Sequence, residues 1–365
     1  MKRWFLYIGA CLLAFVCFAC TDEMEADGSG KERSVKLQLQ LSLPIDASAR
    51  TTRMASDFEA GSKYENYINF DDKDSYRIYF FDTNNKYMVR FTPSKTVMTE
   101  ATNYTLYSVE GDVPEAVLQQ ASNNEMNFKI VVLANWEDYE EPEAGSALET
   151  ICNEDWAQFE ILKSFELDEE NLIPFYGVNE YEDVPVQYGG TITLKESIPL
   201  LRAMAKVEVI LDKEDELDTE EVSFSDVTLH GYNSKGYCAP MNGAYPQNGH
   251  IGLHLVGNKN EDNAIENTIS FLQTQSNKET WIAYVPEYDN TSDEDNAAYI
   301  ELRSDIQTEA FVIRFADDQT NVTNTSFNIT RNHLYRFIVK IKLVNGRIEA
   351  EVSDWEEEYE NDFNF

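Results

Sequence analysis

The chain has 365 residues, with 29 Lys+Arg against 66 Asp+Glu, giving a formal net charge of −37. Hydrophobic residues make up 42%, with 20 Tyr and 20 Phe, which is too apolar for a disordered acidic chain and implies a fold beneath an acidic surface. That charge excludes an electrostatic nucleic-acid binder, which needs a basic face to displace counterions, and it opposes docking of the folded body on anionic lipid.

Lys2-Arg3 opens the chain, and residues 4–19 then run apolar without a charge. The run is shorter than the ~20 residues of a spanning helix, so it reads as a signal peptide. Cys20 follows Ala19 and precedes Thr21-Asp22-Glu23, where the chain turns polar. A small residue before a Cys at this place resembles a bacterial lipobox, which implies that residues 1–19 are removed and that Cys20 is lipidated. An ordinary signal peptide with an incidental Cys is the competing reading. Two or three acyl chains, at ~0.8 kcal/mol per buried CH₂, make a stable membrane anchor. Cys11, Cys17 and Cys20 fall in this leader, leaving only Cys152 and Cys238 in the body. Those two form no disulfide framework and no metal motif. They read as buried small hydrophobes, with a single bridge left open.

Residues 20–33 are polar and carry Asp27-Gly-Ser-Gly30, a flexible tether. Residues 35–43 alternate strictly, with Val35, Leu37, Leu39, Leu41 and Leu43 on one face, so they form a half-buried strand. Pro44 ends it, and a loop carrying Arg50 and Arg53 follows. Strands at 76–81 and 87–91 flank the turn Asp82-Thr-Asn-Asn85. The continuous apolar run 128–134 suits a central strand. Leu148, Ile151, Cys152 and Trp156 are spaced as one face of a helix over 144–159. A strand at 191–194 precedes a boundary within 195–201, and 203–211 alternates again. The acidic run 212–221 reads as a solvated loop. Further strands are expected at 222–230, 251–256, 281–285, 299–302, 311–315, 334–343 and 347–355. Many short strands and little helix indicate an all-β protein built of antiparallel sandwiches. At about 150 residues per domain the length suggests two of them, 34–198 and 199–365.

No catalytic constellation emerges, and no cofactor or metal is called for. His250 and His254 share a strand face but lie two pleats apart, too far for a tight zinc site. Ser234 sits in a turn that is no nucleophile elbow. Acidic pairs are so abundant that none is informative. The runs Asp71-Asp72-Lys73-Asp74 and Asp293-Glu294-Asp295 lack calcium-loop spacing and read as solvated turns.

Five phrases carry a resemblance. Pro199-Leu-Leu-Arg-Ala-Met-Ala-Lys-Val-Glu-Val209 is similar to the Arg-Ala-x-Ala-Lys-Val/Ile strand of the fimbrillin family of Bacteroidales type V pilus subunits. Ile173-Pro-Phe-Tyr-Gly177 resembles its Pro-Met-Tyr-Gly element, and Trp281-Ile-Ala-Tyr-Val-Pro-Glu-Tyr288 its aromatic-Val/Leu-Pro-Glu segment. Arg331-Asn-His-Leu-Tyr335 resembles the Arg-Asn-His-x-Tyr that opens a late strand, and Val352-Ser-Asp-Trp355 the closing Val-x-x-Trp. The resemblance implies two tandem transthyretin-like β-sandwich domains in a non-enzymatic fimbrial subunit. It implies an outer-membrane lipoprotein at the cell surface, cut by a trypsin-like protease after Arg50 or Arg53 so that the first strand leaves. A strand of a neighbouring subunit then fills the groove, and Ile348, Ala350 and Val352 supply the alternation of such a donor. An uncleaved anchor or tip role is the nearest alternative. A surface glycan-binding lipoprotein, with Trp136 and Trp156 stacking on sugars, is a further one.

Overall fold

The computed structural model describes residues 34–44, 63–100, 104–136, 141–153, 158–160, 166–213, 224–233, 235–240, 268–274, 279–290, 297–304, 307–315, 328–344 and 347–353. Cys20, Arg50, Arg53, Trp156, Ser234, His250, His254, Trp355 and the strand expected at 251–256 lie outside them.

Ten strands occupy the first half: β1 (Lys36–Pro44), β2 (Tyr76–Phe81), β3 (Tyr87–Arg90), β4 (Pro93–Glu100), β5 (Tyr104–Asp112), β6 (Glu125–Ala134), β7 (Gln158–Glu160), β8 (Phe175–Pro185), β9 (Thr191–Thr193) and β10 (Ile198–Arg202). All except β7 form one nine-stranded sheet in the order β3-β2-β6-β8-β10-β1-β5-β4, with β9 also paired to β1. The second half supplies β11 (Ala205–Lys213), β12 (Phe224–His230), β13 (Lys235–Tyr237), β14 (Thr268–Ser270), β15 (Leu272–Gln273), β16 (Thr280–Val285), β17 (Tyr299–Ser304), β18 (Gln307–Arg314), β19 (Leu334–Val344) and β20 (Arg347–Ser353). These make a five-stranded sheet, β15-β16-β11-β19-β20, and a four-stranded one, β14-β12-β17-β18. The protein is all-β. Antiparallel pairing dominates, although β1 runs parallel to β9 and β10, and β11 parallel to β19.

Local chemistry sets the elements. At the β2–β3 turn the Asp82 carboxylate accepts from the backbone N–H of Asn84 and Lys86, each at 2.8 Å. Asn85 adopts the left-handed conformation at φ 58°, which Asn tolerates better than most residues. The inward face of β1 meets Ile78, Phe80, Phe128 and Ile130 in one buried cluster, so the long sheet closes over its own core. β2 and the end of β6 are buried on both faces, which explains the unbroken apolar run there. Their outer face carries Tyr79, Phe81, Val131 and Leu133, covered by Trp136, Cys152 and the Cys238 segment.

Several expectations change in detail. The helix expected over 144–159 is a single turn and a half, Leu148–Asn153. Eight strands lie where the sequence marks none: β4, β5, β7, β8, β10, β13, β14 and β15. The 195–201 stretch read as a junction contains β10, hydrogen-bonded to β8 and β1, and the chain passes between sheets at Ala203 and Met204. Cys152 and Cys238 are both fully buried thiols and form no disulfide with each other.

Candidate functional site: the first strand and the buried junction behind it

β1 is a central strand. It pairs antiparallel with β5 along all nine residues, from Lys36 opposite Asp112 to Pro44 opposite Tyr104. On its other side β9 covers Lys36 to Gln38 and β10 covers Leu41 and Ser42. Val35, Leu37, Leu39, Leu41 and Leu43 are each 0% exposed. The opposite face is polar and bonded to its neighbours: Gln38 donates to Ser108 Oγ at 2.9 Å, and the Ser42 and Ser197 hydroxyls lie 3.2 Å apart. Among the described residues β1 is held by burial and ladder bonds, with no covalent tie except its own ends.

After the connection of residues 45–62, the chain resumes at the 3₁₀ turn Lys63–Asn66, and there it is locked. Tyr107 Oη donates to the Asn66 carbonyl and accepts from Ile68 N–H, both at 3.0 Å. Burial pushes this phenol up to about 12. Asn135, left-handed at φ 53°, donates to the Tyr67 carbonyl at 2.7 Å and accepts from Asn69 N–H at 3.1 Å.

Glu65, 0% exposed, is the centre of a buried polar junction between the two halves of the chain. Lys206 Nζ lies 2.9 Å from Glu65 Oε1 and 2.9 Å from Glu208 Oε1, and Tyr284 Oη donates to Glu65. Arg336 Nε completes the chain at 2.9 Å from Glu208 Oε2. Arg202, also 0% exposed, donates through Nε to the Glu65 carbonyl at 3.1 Å, through Nη1 to Asn332 Oδ1 at 3.1 Å, and to Asn66 Oδ1. Burial draws the Arg202 guanidinium down to about 10, against the opposing pull of the Glu65 charge, so it stays charged at neutral pH. Burial and the adjacent Glu65 carboxylate both push the Tyr284 phenol up, which keeps it a hydrogen-bond donor.

A second buried pair lies beside the first. Arg331 grips Glu287 with two bonds of 2.9 Å and reaches the carbonyls of Tyr237, Cys238 and Ala239 at 2.9–3.3 Å. This seats Cys238 on the outer face of the first sheet, where its thiol donates to the Phe175 carbonyl at 3.1 Å. Arg202, Lys206, Tyr284, Glu287, Arg331 and Asn332 come from three of the five phrases quoted above. The phrases therefore converge on one junction, with the Pro-Phe-Tyr-Gly177 phrase on β8 next to it. There Gly177 lets β10 pass close: a Cβ would sit 2.4 Å from Leu200 Cδ2 and 2.9 Å from Ile198 Cγ2. Glu65 carried no sequence signal, since it is one carboxylate among 66 acidic residues.

The donor residues Ile348, Ala350 and Val352 lie on β20, at the edge of the five-stranded sheet, where they oppose Leu343, Ile341 and Val339 of β19. Trp136 is 2% exposed and gives no sugar-stacking surface. Among the described residues no group of three or more His, Cys, Asp or Glu could hold a metal ion. No helix there is long and apolar enough to cross a membrane.

The fold is thus that of an all-β protein whose first strand is buried in a sheet that the second half braces. No protein-family model matches the chain, and no curated protein matches it. Among solved structures it is similar to the tip fimbrial protein Mfa3 of Porphyromonas gingivalis, solved with a C-terminal truncation, at 14% identity and a TM-score of 0.48, covering 87% of this chain and 100% of that one. It is also similar to a fimbrial assembly protein of Parabacteroides distasonis, at 13% identity and a TM-score of 0.47, covering 88% and 96%. Both are fimbrial proteins.

Proposed function

We propose that this chain is a structural, non-enzymatic subunit of surface fimbriae, built of two sandwich units joined near Ala203. It reaches the outer membrane as a lipoprotein through Cys20 and is opened by a trypsin-like protease after Arg50 or Arg53. It polymerises when a strand of a neighbouring subunit occupies the place of β1. The five sequence phrases support the reading, and the state of β1 carries it. Five fully buried side chains, each worth ~1.5–3 kcal/mol, are attached downstream only through residues 45–62. The chain beyond that connection is fixed independently at Glu65, Asn66 and Tyr67, so a cut would leave β1 held by non-covalent contacts alone, open to displacement by a donor strand, with its surroundings still braced. The emptied groove would have two strand rims, β5 and β9/β10, to pair an incoming donor. The donor is the C-terminal segment that includes Ile348, Ala350 and Val352.

The test is an Arg50→Ala/Arg53→Ala double variant, assayed for heat-resistant high-molecular-weight ladders from the cell surface. Loss of ladders with retained surface monomer is expected, and ladders at the normal level would refute proteolytic opening. A second reading, an uncleaved tip or anchor, draws on the position of β20. Its seven residues pair with β19 in the same chain, so donation requires β20 to peel from that edge or the residues after it to serve instead.

A further inference from the structure

A pocket of about 500 Å³ opens between the 63–69 segment and residues Met98, Glu100 and Thr105 of β4 and β5. Tyr64 and Tyr67 wall it, Met98 and Glu100 of β4 project into it from the core-facing side of the strand, and Glu169 closes the far side. The two tyrosine rings stand 6.3 Å apart at 87°, and both are partly exposed. Tyr64 Oη donates to Glu169 Oε1 at 3.2 Å, which fixes ring and carboxylate together. Among the described residues neither Lys nor Arg lines the pocket.

Perpendicular aromatic rings beside carboxylates make a corner in which a cation meets π density and negative charge from different directions. Anionic ligands are disfavoured by the two carboxylates and by the net charge of −37. The neighbourhood adds a second requirement. Among the described residues β4 terminates the nine-stranded sheet, and six of its eight residues are exposed, with Val97 and Met98 each at 44%. A further exposed apolar residue, Tyr104 at 46%, stands on the same outward face as Val97. An edge of this kind pairs with an added strand. A strand laid along β4 sets every second side chain on the core-facing side, beside Met98 and Glu100, at the mouth of the pocket.

We infer that the β4 edge and this pocket together bind an extended segment of a partner protein that carries a Lys or Arg side chain. The backbone of the segment pairs with β4, the cationic head enters the corner of Tyr64 and Tyr67 between Glu100 and Glu169, and flanking apolar residues rest on Val97 and Tyr104. The inference stands apart from strand exchange at β1, since it uses the outer edge of β4, which β5 separates from β1, and needs no cleavage.

The test is titration of the full chain with an acetylated and amidated Thr-Val-Lys-Val-Thr peptide, followed calorimetrically at low and at high salt. Parallel arms use the same peptide with norleucine at the Lys position, N-acetyl-lysine methylamide, and glucose or galactose. The Lys peptide is expected to bind, to weaken with salt, and to lose about tenfold on replacement by norleucine. Glu100→Gln/Glu169→Gln, at two exposed positions, is expected to lose about tenfold with an unchanged melting temperature, and Tyr67→Leu to weaken binding similarly. Equal binding of the norleucine peptide, or no effect of the double variant, would overturn the cation site. N-acetyl-lysine methylamide binding as tightly as the peptide would overturn the strand-pairing half. Binding of a neutral sugar without binding of the Lys peptide would make the pocket a saccharide site instead.

Discussion

Lys206 Nζ and Glu65 Oε1 lie 2.9 Å apart, with side chains 1% and 0% exposed, and join strand β11 to the turn that follows the β1 connection. A buried pair of this kind is costly to assemble but far more costly to break, because the surviving partner is left charged in a dry interior. Lys206→Met would remove the cation between Glu65 and Glu208 and leave the two buried carboxylates to repel each other, with Arg336 still on Glu208 and Tyr284 still on Glu65. It is expected to destabilise the chain by about 3–5 kcal/mol, read as a fall in the urea midpoint. Tyr284→Phe removes one donor to Glu65 and is expected to cost about 1–3 kcal/mol.

Gly177→Ala tests the close passage of β8 and β10. The added methyl would press on Leu200 and Ile198 and meet the Pro199 carbonyl at 3.0 Å, costing about 1–3 kcal/mol. Gly189→Ala is the control: it has φ +74° but nothing within 4 Å, so its cost is backbone strain alone, about 1–2 kcal/mol. Unfolding of the two variants side by side, with the strand-crossing site the more sensitive, checks the packing.

Stability is expected to fall in alkali. Burial raises the Cys238 thiol from 9.0 to about 12 and the Tyr107 phenol from 10.0 to about 12, and raises Cys152 as well. Between pH 9 and 12 the unfolded chain has lost protons that the folded chain retains. The contribution is therefore complete below pH 9 and is lost as pH rises through the folded values. Arg202, drawn below its ordinary value, acts in the opposite sense above pH 10, but it is one group against several. Urea midpoints at pH 8 and pH 10.5 measure the fall, and Cys152→Ala/Cys238→Ala should flatten it.

Cys20→Ser is expected to release the protein from membranes or to leave the precursor uncut. Fractionation followed by intact-mass measurement reads both outcomes, and unchanged retention with normal processing would remove the lipid anchor from the account.

Strict period-two alternation made β1 readable from its residues, and the Asp82 turn made the β2–β3 hairpin readable, because each depends on neighbours in the chain. β4 was missed because its alternation is blurred: at the sheet edge only Pro93 and Thr96 are even partly shielded, so nothing selects an apolar face. β10 was not legible as a strand because Ile198, Leu200 and Leu201 are too few to show a period, although all three are buried. The Arg202–Lys206–Tyr284–Arg331 junction was visible only as scattered phrases. Its partners lie up to 219 residues apart, a separation that no local pattern encodes.

The most direct test of the account is the N-terminal sequence of the subunit recovered from assembled surface fimbriae. Opening after Arg50 or Arg53 predicts a chain that begins at Thr51 or Met54 and lacks β1. Fimbriae built of chains that begin at Cys20 and still carry Val35, Leu37, Leu39, Leu41 and Leu43 would contradict it.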